Sequence, residues 1–260
     1  MSLSASSVAA ASAAWVWIPD FAEVAQTDEY TIARFPDYFR DPLQVLAFRP
    51  AGPVARAVAA VLDRAREYGK PELQWHVLLS SPPGLTEELA AHGAALRPTL
   101  DVLACELDGG APDLPAPAVD VTVRWATDAA TARDNQAVAV AIFGGSVPPG
   151  ERVAQIAAEN AGSVPAGQGG AVTAYLGGAP VGAGGLNIVD GVARLWGGGV
   201  IESARRRGVY RALLAARLSY AVAHGATMAL VKARIDTSSP ILARAGFAAY
   251  GQEPIYQVPL

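Results

Sequence analysis

The sequence predicts a mixed α/β fold in which a mostly antiparallel sheet is flanked by helices. Three observations support this prediction. Two strand-like segments flank Gly177-Gly178, a pair typical of a tight hairpin turn. Apolar residues after Gly208 recur at three- and four-residue spacing, as on the buried face of a helix, and Gly225 is placed to end that helix. A continuous apolar run then indicates a buried strand at 227–233.

The elements after residue 118 follow a definite order. The patterns predict a strand, two helices, a three-strand meander, a helix, a strand, a short helix and two final strands. These elements are predicted at 119–125, 130–143, 151–160, 172–176, 180–187, 193–200, 208–224, 227–233, 237–247, 247–250 and 255–258.

Residues 109–118 divide the chain, because glycines followed by alternating prolines favour an extended linker. We therefore predict a flexible tail or weak helix at 1–14, one domain at 15–108 and a second at 119–260.

Composition excludes several classes of function. A net charge of −4 and a pI near 5.4 give no general attraction for nucleic acid or an anionic membrane. No run of about 18 apolar residues is present, so no membrane span is expected. Cys105 is the sole cysteine, which fits a reducing cytoplasm. The histidines are isolated from other metal-ligating residues, so no metal site is predicted. The preference for arginine over lysine, with abundant alanine, is typical of a GC-rich bacterial genome.

A run of arginines lies between a glycine-rich strand end, Gly197-Gly198-Gly199-Val200, and the predicted helix at 208–224. Free N–H groups and the positive end of the dipole make a helix start an anion site. Arginines there oppose the dipole by roughly 0.3–1 kcal/mol each. We therefore expect an anion at this position; a solvated charge run is the alternative interpretation.

This segment resembles the pyrophosphate loop of the GNAT superfamily of acyl-CoA-dependent N-acyltransferases, whose pattern is Gln/Arg-x-x-Gly-x-Gly/Ala. Arg205 and Gly208 match the pattern, and Tyr210 departs from it. A second stretch, 237–247, resembles the family's short helix that ends in Gly-Phe. The resemblance covers 119–260 and implies a GNAT sheet flanked by helices.

The resemblance also implies a binding site for acetyl-CoA as co-substrate. The pantetheine arm would pair with main-chain groups around Gly198, Gly199 and Val200, and the Val200 N–H would polarise the thioester carbonyl. A glycine-rich bulge in an edge strand is the alternative for these glycines. The pyrophosphate and ribose phosphate would be held by Arg205, Arg206, Arg207, Gly208, Val209, Tyr210 and Arg211. Ser238 and Ser239 would face pantetheine or else cap the short helix, and Arg244 would reach the adenine end.

The usual catalytic groups are missing. Many relatives carry a tyrosine acid on the short helix, where this chain has Leu242, and a glutamate on the strand before the loop, where it has none. Tyr250 and Tyr256 are candidate replacements, as are Glu202 and Glu253; for each of them a structural role is the alternative. A water chain could also remove the proton from the amine.

Part of the same pattern recurs before the linker. Gly52 and Gly69 have the same spacing as Gly208 and Gly225, and Arg49-Pro50 precedes the first of these pairs. We interpret the first half as a degenerate, truncated GNAT copy, against the alternative of chance similarity. The segment before Arg49 looks too short for a preceding meander and helices. The prolines at 50 and 53 remove N–H donors, so this copy should bind CoA poorly.

These observations predict an acyl-CoA-dependent N-acyltransferase that transfers acetyl from acetyl-CoA to the amine of a small molecule. Neither nucleic acid nor membrane is an expected partner, and a homodimer is one assembly that the resemblance allows. Two alternatives stay open. One is an inactive CoA-binding or interaction protein on the same scaffold, and the other is a biosynthetic enzyme with a different reaction.

Overall fold

A computed structural model describes residues 3–116 and 119–260. The first two residues of the predicted tail and the last two of the predicted linker lie outside this range. The helices are α1 (Ala5–Ala13), α2 (Val54–Arg66), α3 (Leu85–Ala91), α4 (Ala129–Phe143), α5 (Gly150–Ser163), α6 (Val209–Ala223) and α7 (Ser239–Arg244). The strands are β1 (Glu23–Gln26), β2 (Tyr30–Arg34), β3 (Leu43–Phe48), β4 (Glu72–His76), β5 (Ala95–Glu106), β6 (Val121–Trp125), β7 (Gly169–Leu176), β8 (Ala179–Val189), β9 (Val192–Val200), β10 (Met228–Arg234) and β11 (Ala248–Pro259).

Two compact units make up the chain. The amino-terminal unit comprises Ser4–Val102, Lys232–Pro240 and Ala249–Leu260. The carboxy-terminal unit comprises Leu103–Val231 and Ile241–Ala248. Most strand pairs within them are antiparallel; β3–β4 and β9–β10 are parallel. The predicted mixed, mostly antiparallel fold with flanking helices is confirmed. The predicted domain boundaries at 15–108 and 119–260 stay a prediction.

In the amino-terminal unit, β1, β2 and β3 form an antiparallel meander, β4 runs parallel to β3, and β11 pairs antiparallel with β4. Helix α2 packs on this sheet because its apolar residues recur every three or four positions and so share one face. Val58 and Leu62 from that face are buried with Ile32 and Trp75 from the strands.

Two expectations for this unit differ from the structure, and a third, which had two alternatives, is resolved as a helix. A meander does precede Arg49, because strands of four to six residues joined by short turns need little chain. Residues 5–13, expected as a tail or weak helix, form α1, with Val8 and Ser12 buried. The two strands predicted near the carboxy terminus are one strand, β11, which passes through Gly251 at a φ of 141°, a backbone conformation that favours glycine.

The carboxy-terminal unit has the strand order β10-β9-β8-β7-β6. Helix α4 begins at Ala129, since the Asp128 carboxylate accepts the N–H groups of residues 130 and 131. Two buried asparagines hold helices to β7. The Asn135 amide donates to the Val172 carbonyl at 2.9 Å, and the Asn160 side-chain oxygen accepts the Ala171 N–H at 3.2 Å. These bonds fix α4 and α5 to the sheet that carries β9.

Across the described residues, no helix is long and apolar enough to cross a lipid bilayer. Within residues 3–116 and 119–260, no group of three or more histidine, cysteine, aspartate or glutamate side chains could hold a metal ion.

Candidate functional site

The predicted pantetheine strand, β9, has two different edges. On one side it pairs antiparallel with β8 as far as Val200. On the other it pairs with β10 from Met228↔Val192 to Val231↔Leu195, and that register goes no further among the described residues. Residues 196–200 therefore have one edge without a strand partner in the register given. Since β9 lies between β8 and β10, it is not the edge strand that the alternative interpretation of its glycines requires.

The N–H of Val200 points toward that free edge. In an antiparallel ladder, residues that exchange hydrogen bonds alternate with residues that do not. The Ile201 N–H donates to the Val181 carbonyl at 3.0 Å, so Val200 and its partner Gly182 form a pair that does not exchange hydrogen bonds. The main-chain groups of Val200 therefore project away from β8. Its carbonyl accepts the Arg205 Nε at 3.3 Å, and its N–H faces the edge of β9 that lacks a strand partner in the register given.

The glycines of β9 also have packing reasons for their small size. A Cβ on Gly199 would lie 2.8 Å from a methyl carbon of Ile142 on α4. A Cβ on Gly198, facing α6, would lie 3.1 Å from the Nη2 of Arg217. Gly197 has a φ of 57°, and a Cβ there would meet open space. Close approach of neighbouring helices therefore accounts for two of the three glycines without a ligand.

The arginine loop runs from β9 to α6 through a short 3-10 helix, Glu202–Ala204. Arg206 has a φ of 62° and Gly208 a φ of 83°, so two residues of the loop are left-handed. Such turns direct successive N–H groups into a concave surface that suits an anion. Arg205, Arg206 and Arg207 are exposed. No described residue forms an ion pair or hydrogen bond with the last two, so a structural ion-pair cluster is absent there.

Helix α6 begins at Val209 with Gly208 as its cap, and no side chain caps it. The Ala212 N–H donates to the Gly208 carbonyl at 3.0 Å, so the N–H groups of residues 209–211 precede the first helical acceptor. No acidic residue lies in the first turn. The Nε of Arg211 is buried without a hydrogen-bond partner. The loop therefore offers unpaired donors and positive charge to an anion.

The second predicted motif is divided between the two units. Ser238 lies in the turn before α7, and Ser239 begins the helix. The Ser239 hydroxyl is buried and donates to Asp101 at 2.5 Å, so it is already engaged within the amino-terminal unit. Arg244 is exposed in the last turn of α7, in the carboxy-terminal unit. Leu242, at the position where relatives carry the acid, is fully buried.

The candidate acids and bases are divided between the two units. Tyr250 and Tyr256 lie on β11 in the amino-terminal unit, where Tyr256 packs against the core. The exposed Glu202 begins the short 3-10 helix. Glu253 is buried and forms an ion pair of 2.7 Å with Lys232. Its other oxygen accepts the Ser12 hydroxyl at 2.8 Å and the Leu79 N–H at 3.2 Å. This contact set indicates a structural role for Glu253.

Sequence reasoning missed a buried arginine beside the site. Arg217, in the middle of α6, is only 2% exposed and contacts Tyr210 of the loop. Burial lowers the pKa of its guanidinium, while burial raises the pKa of the Tyr210 phenol. The available signal was an arginine on the otherwise apolar face of α6 that carries Leu213 and Leu218.

Comparison with known proteins identifies the class. Residues 142–247 match the family described as the acetyltransferase (GNAT) family. A comparison with curated protein sequences gave no match. The predicted resemblance to the GNAT superfamily is confirmed by this match, which covers residues 142–247.

Solved structures share the fold. A GCN5-related N-acetyltransferase from Kribbella flavida has 20% identity and a TM-score of 0.67, with 100% of this chain and 97% of that chain covered. A GCN5-related N-acetyltransferase from Sphaerobacter thermophilus has 18% identity and a TM-score of 0.68, with 90% of this chain and 82% of that chain covered. A tandem GNAT protein from the clavulanic acid biosynthesis pathway has 17% identity and a TM-score of 0.61, covering 97% of this chain and 87% of that chain. The likeness in fold therefore includes the amino-terminal unit.

Proposed function

We propose that the chain is an acyl-CoA-dependent N-acyltransferase that transfers acetyl from acetyl-CoA to an amine of a small molecule. The observation that carries the proposal is the loop at 205–211, with exposed arginines and uncapped helix N–H groups directly after the half-paired end of β9. The match of residues 142–247 to the acetyltransferase (GNAT) family supports acyl-CoA as donor. The cytoplasmic location expected from the single cysteine is part of this proposal.

The geometry of the loop supports a role in binding for each of its parts. The anionic pyrophosphate of the donor would accept hydrogen bonds from the N–H groups of 209–211 and from the exposed arginines. The outward N–H of Val200 would hydrogen-bond the thioester oxygen, on which negative charge grows as the amine attacks. Because the bond is made to main chain, it needs no side chain at this position.

We place the single CoA site in the carboxy-terminal unit. The corresponding loop of the amino-terminal unit has Pro50 and Pro53, which lack N–H donors. Its Ala51 N–H donates to the carboxylate of Glu29 at 2.7 Å. A carboxylate of the chain itself therefore occupies the position where a phosphate would bind.

Isothermal titration with acetyl-CoA, followed by measurement of free thiol released with a panel of amines, tests the proposal. Thiol release without amine is the control for simple hydrolysis of the thioester. We expect binding of one acetyl-CoA per chain and amine-dependent release. If acetyl-CoA does not bind, the proposal is wrong.

One second candidate has support of its own. The buried Leu242 occupies the usual position of the acid, and β9 carries no glutamate as a base. The replacement candidate Glu253 is engaged in an ion pair, so these observations favour a CoA-binding protein without catalysis. Binding of acetyl-CoA with no turnover on any amine would support this second candidate.

A further inference from the structure

The side chain of Arg217 connects three parts of the candidate site. Its Nε donates to the Leu213 carbonyl at 3.2 Å, and its Nη1 donates to the Gly185 carbonyl at 3.4 Å. Gly185 lies where the register between β8 and β9 shifts. The guanidinium also interacts with the phenol of Tyr210, in the first turn of α6. The buried guanidinium of Arg217 thus contacts both Tyr210, next to the arginine loop, and Gly185, at the register shift between β8 and β9.

The charge of Arg217 has no carboxylate to balance it. Among the described residues no Asp or Glu forms an ion pair with it, and its electrostatic partner is the neutral Tyr210. Arginine stays protonated in proteins, so burial does not remove the charge. An unpaired buried charge is strongly unfavourable, and a packing role alone would be filled as well by an apolar side chain.

The guanidinium lies directly behind the free part of β9. A Cβ on Gly198 would meet Nη2 at 3.1 Å and Nη1 at 3.2 Å, and a Cβ on Gly184 would meet Nη1 at 3.3 Å. No side chain therefore separates the cation from the backbone of Gly198. That backbone belongs to the part of β9 whose outer edge lacks a strand partner.

We propose that Arg217 is a positioning residue that holds a permanent positive charge behind Gly198, to stabilise negative charge at the reacting end of the acyl donor. The proposal rests on the function proposed above. In that reaction the amine nitrogen bonds to the thioester carbon, and an electron pair moves to the carbonyl oxygen. When the carbonyl reforms, the carbon–sulfur bond breaks, the pair leaves on sulfur, and the nitrogen loses a proton to water.

Both the carbonyl oxygen and the departing sulfur carry negative charge during this step. A fixed positive charge in a site shielded from water stabilises such charge without reorganisation. Because it acts through the strand and not by contact with the substrate, the effect should appear in kcat more than in KM.

The first experiment compares Arg217→Met and Arg217→Lys in the full chain, with Leu218→Met as a packing control on the same helix. We expect Arg217→Met to lower kcat about 10- to 100-fold, with KM changed by less than about threefold. Arg217→Lys keeps the positive charge but lacks the planar guanidinium, so its kcat should lie between those of Arg217→Met and the wild type. The control should behave as wild type. An equal fall in kcat for both arginine variants, or a change confined to KM, would overturn the proposal.

The second experiment needs no variant and no turnover. The affinities of the wild-type chain for CoA and acetyl-CoA are measured by calorimetry from pH 7 to pH 9. A positive charge near sulfur favours the thiolate, so the affinity of CoA relative to acetyl-CoA should rise with pH, by at most about tenfold per pH unit. Both ligands carry the same phosphates, so the contribution of the phosphates to binding cancels in the ratio of the two affinities. A constant ratio would show that no positive charge acts on the sulfur and would overturn the role of Arg217 even if amines are acylated. Conversely, a rising ratio without turnover would leave this role standing and refute only the proposed function.

Discussion

Replacing Arg206 and Arg207 together with alanine is expected to weaken acetyl-CoA binding while leaving the fold intact. Charge-assisted hydrogen bonds contribute about 1.5–3 kcal/mol each, and two neighbouring ones are not additive, so we expect a loss of about 2–4 kcal/mol. At about 1.4 kcal/mol per tenfold change, this corresponds to a roughly 30- to 700-fold higher Kd.

The stability of the fold should stay level or rise slightly. Both side chains are exposed and have no ion pair or hydrogen bond from any described residue, so their removal breaks no internal interaction. Two positive charges also leave the positive end of the α6 dipole. The two effects thus have opposite directions, which a structural ion-pair cluster would not produce.

Calorimetric titration at about 0.1 M salt and thermal unfolding of the same double variant measure both quantities. The matched control is Arg97→Ala with Arg133→Ala, which removes two exposed arginines outside the loop and changes the net charge equally. The control should bind acetyl-CoA nearly as wild type, because screening limits distant charges. Unchanged affinity in the loop variant together with a lower Tm would refute the cofactor role of this loop.

Three further outcomes are expected. Burial, with the charge of Lys232, lowers the pKa of the part-buried His76 to about 4 from 6.5. As pH falls, His76 is protonated in the unfolded chain before it is protonated in the folded one, so the free energy of unfolding should fall by about 1–3 kcal/mol between pH 6.5 and pH 4. Urea unfolding of His76→Gln should lack this dependence of stability on pH. An unchanged dependence would contradict the lowered pKa of His76. A chain of residues 119–260 should aggregate on gel filtration or have a lower Tm than the full chain, because β11, with the buried Val258, loses its partner β4. A monomer as stable as the full chain would contradict this expectation. Titration should give one CoA per chain, and a second site at Arg49–Gly52 would contradict the blocking role of Glu29.

The order of elements in the carboxy-terminal part was predictable because it depends on local patterns. Glycine pairs place the turns, and the spacing of apolar residues places α6. Strand ends moved by only a few residues. The break predicted near residue 251 was wrong, since Gly251 permits a bend without interrupting β11. The meander before Arg49 was missed because its strands are short and weakly periodic.

The arginine loop was predictable for the same local reason: its charge, its glycine and its helix are adjacent in sequence. Contacts between distant residues were not. The position of Arg217 on the apolar face of α6 was a signal in the sequence, but its contacts exist only once α6 is packed against β8 and β9. Glu253 similarly became a structural residue only when folding brought Ser12 and Lys232 to it. Their roles depend on tertiary position.

The Glu29–Ala51 bond has a consequence for the history of the chain. Here the chain has filled the site with its own carboxylate, and Pro50 and Pro53 have removed donors on either side. Added arginines would be drawn to Glu29 before any phosphate arrived. If the amino-terminal unit is a degenerate copy, as we propose, no single substitution would restore its loop, whereas the carboxy-terminal loop keeps exposed arginines and an uncapped helix start.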